Sequence, residues 1–82
     1  MIYVYAIKSK TRKYIYVGMT ADINDRLNRH NSGYEKTTRS YRPFELIYIE
    51  EFENRKAARV KEKYLKSGTG KEFLKRLTEE KF

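Results

Sequence analysis

Two runs of alternating tyrosine and aliphatic residues, Tyr3-Val4-Tyr5 and Tyr14-Ile15-Tyr16-Val17-Gly18, stand eleven residues apart at the amino terminus and constrain the fold more than any other feature. Period-two alternation rich in Tyr, Val and Ile predicts strands over 2–8 and 14–19, joined as a β-hairpin by the polar run Ser9-Lys10-Thr11-Arg12-Lys13. Antiparallel pairing places Tyr3 and Tyr5 on one face of their strand, and Tyr14, Tyr16 and Gly18 on one face of theirs. Whether the two tyrosine faces coincide depends on register, which the sequence leaves open.

Beyond the hairpin the period changes. Asp22 is placed to cap a helix running to about Asn31, with Asp25 in its first turn and Gly33 as its stop. Ile23 and Leu27 form its apolar stripe. At about 100° per residue, His30 projects within about 20° of Ile23 and Arg26 lies about 60° to one side, so both face the core edge. The polar, basic stretch 34–43 reads as a loop ending at Arg42-Pro43. It delivers a third strand, Phe44 to Phe52, whose mostly apolar run suits a central strand covered on both faces. Asn54 then caps a helix to about Lys66 with Ala57, Ala58, Val60, Lys61, Tyr64 and Leu65 inward. Ser67-Gly68-Thr69-Gly70 breaks the chain before a short final helix, Lys71 to Leu77, carrying Phe73, Leu74 and Leu77. The expectation is an α+β domain over 1–82, a three-stranded antiparallel sheet flanked by three helices in the order ββαβαα.

Charge narrows the partners. Lysine and arginine outnumber aspartate and glutamate 19 to 11, leaving +8 on 82 residues, a density that attracts polyanions. Nucleic acid is the first partner to consider, against a merely solubilising surface. The absence of cysteine excludes disulfide frameworks, thiolate metal sites and cysteine nucleophiles. No stretch approaches the ~20 apolar residues that span a bilayer, so a soluble cytoplasmic protein without a membrane partner is expected.

Tyr5, Tyr16, Arg26, His30 and Glu62 are the candidate site residues, since tyrosine, arginine, histidine and one carboxylate suit metal-assisted phosphodiester cleavage. Each has a plainer alternative. Alternating tyrosines are commonly half-buried packing residues. Arg26 could pair with Asp22 or Asp25 on its own helix for about 0.5 kcal/mol or less. His30 could complement the helix dipole, and Glu62 could join a solvated network with Arg59 and Lys66. Ala58, small and one turn before Glu62, would leave space for an ion and substrate. Arg12, Lys13, Arg29, Lys36, Arg39 and Arg42 lie in turns and loops where they could grip phosphates without reading bases. Lys71, Lys75, Arg76 and Lys81 read as a charged face.

The ordered set resembles the GIY-YIG endonuclease family over essentially the whole chain. Tyr3-Val4-Tyr5 stands for the first signature, with Tyr3 in place of glycine, and Tyr16-Val17-Gly18 for the second. Arg26-Leu27-Xaa-Xaa-His30 follows, then Ala58-Xaa-Xaa-Xaa-Glu62. The likeness is to the short stand-alone branch, similar to the amino-terminal nuclease domain of the excision-repair incision subunit. Two departures stand out: no asparagine follows Asn54, where many relatives carry a late one, and Met19 occupies a place where the repair subunit has lysine.

The resemblance implies a single divalent ion, Mg²⁺ or Mn²⁺, with Glu62 its sole protein ligand and water or phosphate oxygens filling the remaining positions. It implies that Arg26 contacts the scissile phosphate. One of Tyr5 and Tyr16 acts with a water as general base, His30 orients a tyrosine or that water, and Gly18 leaves the backbone free to approach the site. The implied function is a divalent-metal-dependent endonuclease acting on DNA, with repair or recombination intermediates as candidate substrates and a protein partner as a candidate source of specificity. The rivals are a non-catalytic basic nucleic-acid-binding module on the same fold and a protein-interaction domain.

Overall fold

The computed structural model describes residues 1–79, so Lys81 of the expected charged face lies outside the described residues. Its elements run β1 (Ile2–Ser9), β2 (Ile15–Thr20), α1 (Ile23–Ser32), a short 3₁₀ turn (Arg39–Tyr41), β3 (Phe44–Phe52), α2 (Arg55–Lys66) and α3 (Gly68–Glu79). The strands form one antiparallel sheet in the order β2-β1-β3. The expected ββαβαα order and sheet are therefore present.

The central strand is β1, not β3. Val4, Tyr5, Ala6 and Ile7 are all buried, because β1 alone has a strand on either side and helices on both faces. Its alternation divides the core. Val4 and Ala6 join Val17, Ala58, Leu65 and Leu74 beneath α2 and α3, while Tyr5 and Ile7 join Phe44, Ile23 and Leu27 beneath α1. The long apolar run of β3 has another cause. A register shift between Ala6 and Ile7 pairs Ala6 with Tyr48 and Ile7 with Leu46. Ile47 is the extra residue, so Ile47 and Tyr48 both pack against the α2–α3 layer while Leu46 packs on the α1 side.

The helix ends follow local chemistry. Asp22 accepts a hydrogen bond from the Asp25 N–H at 3.1 Å, Asn54 accepts one from the Ala57 N–H at 2.9 Å, and Gly33 ends α1 with φ 84°. The expected break before α3 shrinks to one residue. Ser67 ends α2, and its hydroxyl accepts from the Gly70 N–H at 3.3 Å while its carbonyl accepts from the Lys71 N–H at 2.9 Å. α3 therefore starts at Gly68 rather than Lys71. Gly70 sits where α3 crosses α2, and a Cβ there would lie 2.1 Å from the Tyr64 carbonyl oxygen.

The inward face of α2 is also narrower than expected. Ala58 and Leu65 are buried and Lys61 is half-buried, but Ala57, Val60 and Tyr64 are exposed. With only a three-stranded sheet beneath it, α2 covers one narrow stripe. Ala58 is fully packed in the core, so its small side chain lets the helix approach the sheet and leaves no room for an ion. Among the described residues, no helix is long and apolar enough to cross a membrane.

Candidate active site

The register settles which tyrosines meet. Tyr5 pairs with Gly18 and Ile7 with Tyr16, so Tyr5 and Tyr16 lie diagonally on one face, their ring centroids 6.2 Å apart. Gly18 makes this possible. A Cβ at that position would fall 2.8 Å from the Tyr5 hydroxyl and 3.0 Å from the Tyr16 ring, so the glycine provides room for two phenols rather than for an approaching substrate backbone.

His30 drops onto this pair from α1. Its Nε2 is 2.9 Å from the Tyr5 hydroxyl and its Nδ1 is 2.8 Å from the Thr38 hydroxyl. Its ring centroid lies 4.9 Å from that of Tyr16. Tyr5, His30 and Thr38 are all essentially inaccessible to solvent. Burial, opposed by the negative charge of Glu35 and reinforced by the positive charge of Arg26, holds the His30 pKa below its ordinary value and keeps the ring neutral. A neutral imidazole donates at one nitrogen and accepts at the other. With Tyr5 donating to Nε2, Nδ1–H donates to Thr38. Burial, with Tyr16 next in effect, raises the Tyr5 pKa far above that of a free phenol, so Tyr5 keeps the proton this chain requires.

Arg26 and Glu62 arrive from opposite layers. Arg26 stands on α1, and its charge lowers the Tyr5 pKa; Glu62 stands on α2, and its charge raises it. Arg26 does not pair with Asp22 or Asp25. Its Nη1 is 4.0 Å from Glu35 Oε1, and its buried Nε has no hydrogen-bond partner, alone in this respect among the described residues. Glu35 also sits 3.3 Å from Arg29 Nε. Glu62 shares the α2 stripe of Ala58 and Leu65, so its side chain is only 18% exposed, and its partner is Lys66 at 3.4 Å.

The chemistry of this donor set fits one hard cation held by a single carboxylate and otherwise by water. Among the described residues no three acidic, histidine or cysteine side chains cluster as a cage would require.

The basic residues divide by role. Lys36 is exposed, and Arg12 lies over the Tyr41 ring at 5.5 Å. Arg29 lies over the Tyr34 ring at 5.9 Å. Arg39 donates to the Gly33 carbonyl at 2.8 Å, and Arg42 reaches the Arg39 carbonyl at 3.4 Å, so both brace the end of α1. Lys13 is exposed beside β2.

Thr38 and Glu35, which touch the site directly, were not among the sequence candidates. Neither carries a local pattern, since both lie in the loop before the 3₁₀ turn and reach the site only through the fold. Asn31, at the end of α1, carries no local pattern either: its side chain accepts from the Phe44 N–H at 2.7 Å and donates to the Phe44 carbonyl at 3.4 Å, tying α1 to β3.

The chain matches the GIY-YIG catalytic domain over residues 1–76. It belongs to the GIY-YIG family, a nuclease family. A UPF0213 protein of Clostridium perfringens is 39% identical over 75 residues, covering 90% of this chain and 80% of the relative. Another UPF0213 protein, from Pediococcus acidilactici, is 42% identical over 66 residues, covering 77% and 67%. The solution NMR structure of the UPF0213 protein BH0048 from Bacillus halodurans superposes with a TM-score of 0.55 at 34% identity, covering 94% of this chain and 85% of that one.

Proposed function

We propose that this GIY-YIG protein is a divalent-metal-dependent endonuclease that hydrolyses phosphodiester bonds in DNA. The observation that carries the reading is the buried Tyr5–His30–Thr38 chain, with Tyr16 packed on His30 and Arg26 one helical turn before it on α1. A fully satisfied polar chain in so small a core costs desolvation, and preorganising a reactive group is a use for it.

Each side chain takes a role from its surroundings. Tyr5, inaccessible and firmly protonated, positions His30 and is a poor base. Tyr16 is only half-buried and packs on His30, so it is the phenol that meets the attacking water and relays its proton. Arg26 presents a guanidinium on a side chain that is 36% exposed, a donor fork for a phosphate oxygen. Glu62 would hold the ion, exchanging Lys66 for it. A bound Mg²⁺ or Mn²⁺ would supply charge stabilisation at the phosphate and leaving oxygen.

Nicked, branched and supercoiled DNA incubated with the pure protein and Mg²⁺ tests this. Cutting that disappears in both Arg26→Ala and Glu62→Ala supports it. Cutting that survives in both, or salt-sensitive binding with no hydrolysis under any divalent ion, overturns it, the latter in favour of a binding module.

A further inference from the structure

Beside the free edge of β2 lies an open groove of about 950 Å³, walled on its far side by the end of α2 and by α3. Lys8 and Lys13 line it from the hairpin, Lys66 from α2, and Lys71 and Lys75 from α3. Against these five lysines stands one lining carboxylate, Glu79. Lys71 and Lys75 are four residues apart and share a face of α3, so the charge converges from both walls instead of spreading over a solvated surface. Lys13 and Lys71 form no ion pair among the described residues.

The groove borders the candidate active site. Tyr16, packed on His30, forms part of its wall, and Lys66 lines it while lying 3.4 Å from Glu62. Lysines beside an unpaired edge also deter strand-to-strand association, yet that need is met by Lys8 and Lys13 of the hairpin and gives no reason for charge on α3 across the gap.

We propose that this groove binds the sugar-phosphate backbone of DNA flanking the cleavage position, as a second contact beyond Arg26. The proposal rests on the nuclease reading for its substrate class. It assigns Lys71 and Lys75 to substrate binding rather than to an idle charged face. Lysine suits the task, since it meets phosphates as a flexible point charge and reads no bases, so the contact is independent of sequence.

Fluorescence anisotropy with a short labelled duplex tests it without requiring turnover. The groove variant is Lys71→Glu with Lys75→Glu. The control is Arg55→Glu with Lys56→Glu, which makes the same change of charge on exposed residues outside the groove. Thermal melts check that both fold. The groove variant is expected to bind about tenfold more weakly than the control and to lower the slope of log affinity against log salt by about two. Equal affinity and slope in the two variants would overturn the groove, even if both still cut DNA. A wild-type protein that binds through the groove but never cuts would overturn the nuclease reading and leave the groove standing. Absence of any DNA binding at moderate salt would overturn both.

Discussion

The Tyr5 hydroxyl and His30 Nε2 sit 2.9 Å apart in a site that solvent does not reach, joining the central strand to the helix that packs on it. Tyr5→Phe removes one partner and leaves the other buried and unpaired, at a cost of about 1–3 kcal/mol. DNA cleavage should fall steeply while DNA affinity stays near wild type, because Tyr5 positions and does not touch phosphate. Urea denaturation and cleavage assays on the same preparation check both halves.

Thr38 holds the other end of that chain through His30 Nδ1 at 2.8 Å. Thr38→Val preserves shape but removes the acceptor, and should destabilise by about 1–3 kcal/mol while releasing the imidazole tautomer. Thr38→Ser restores the hydroxyl and should recover most of the cleavage rate. The ¹⁵N shifts of the His30 ring report the tautomer directly, and an unaltered pattern in Thr38→Val would refute the assignment.

The depressed His30 pKa gives stability a sign with pH. Burial, aided by Arg26, makes the folded imidazole harder to protonate than the unfolded one, whose pKa is about 6.5. Between the folded and unfolded pKa values the unfolded chain binds more protons, so stability rises with pH across that window. The full contribution is present above about 6.5 and declines as acid is added. His30→Gln should flatten this part of the Tm profile relative to wild type. Cleavage should also lose its acid limb's His30 component, since an imidazolium cannot accept from Tyr5.

Glu35 faces Arg26 at 4.0 Å and Arg29 at 3.3 Å, a carboxylate standing where phosphate would compete. Glu35→Gln should free positive charge, tighten DNA binding several-fold and steepen its salt slope by about one. Looser binding, measured by anisotropy, would show instead that Glu35 holds Arg26 in a productive pose.

Crowding around Gly18 predicts damage out of proportion to one methyl group. Gly18→Ala would press on the Tyr5 hydroxyl and Tyr16 ring and should cost about 1–3 kcal/mol. Gly70→Ala meets backbone instead of side-chain atoms and should be the worse of the two by thermal melt.

The legible parts of this protein were those with a local cause. Asp22 and Asn54 announce helix starts because each caps a backbone N–H three residues on, and the tyrosine alternation announces the hairpin. The sequence points to Lys71 as the start of the final helix because two glycines mask a Ser67 cap whose bond to Gly70 follows the same spacing. The apolar run of β3 suggested a central strand because a bulge at Ile47 mimics two-sided burial on an edge. Arg26, His30, Glu62 and the tyrosines were visible through ordered motifs. Thr38, Glu35 and the lysine groove were not, because they exist only once loop, sheet and helices are assembled.

The two faces of β1 lend this enzyme candidate a built-in check on its own assembly. Arg26 and His30 ride on the layer covering Tyr5, Glu62 on the layer covering Val4 and Ala6, and neither layer alone holds a complete set. On the proposed reading, a nascent or partly unfolded chain would therefore carry basic surface without the means to cut, and DNA would meet a competent site only after α2 had docked.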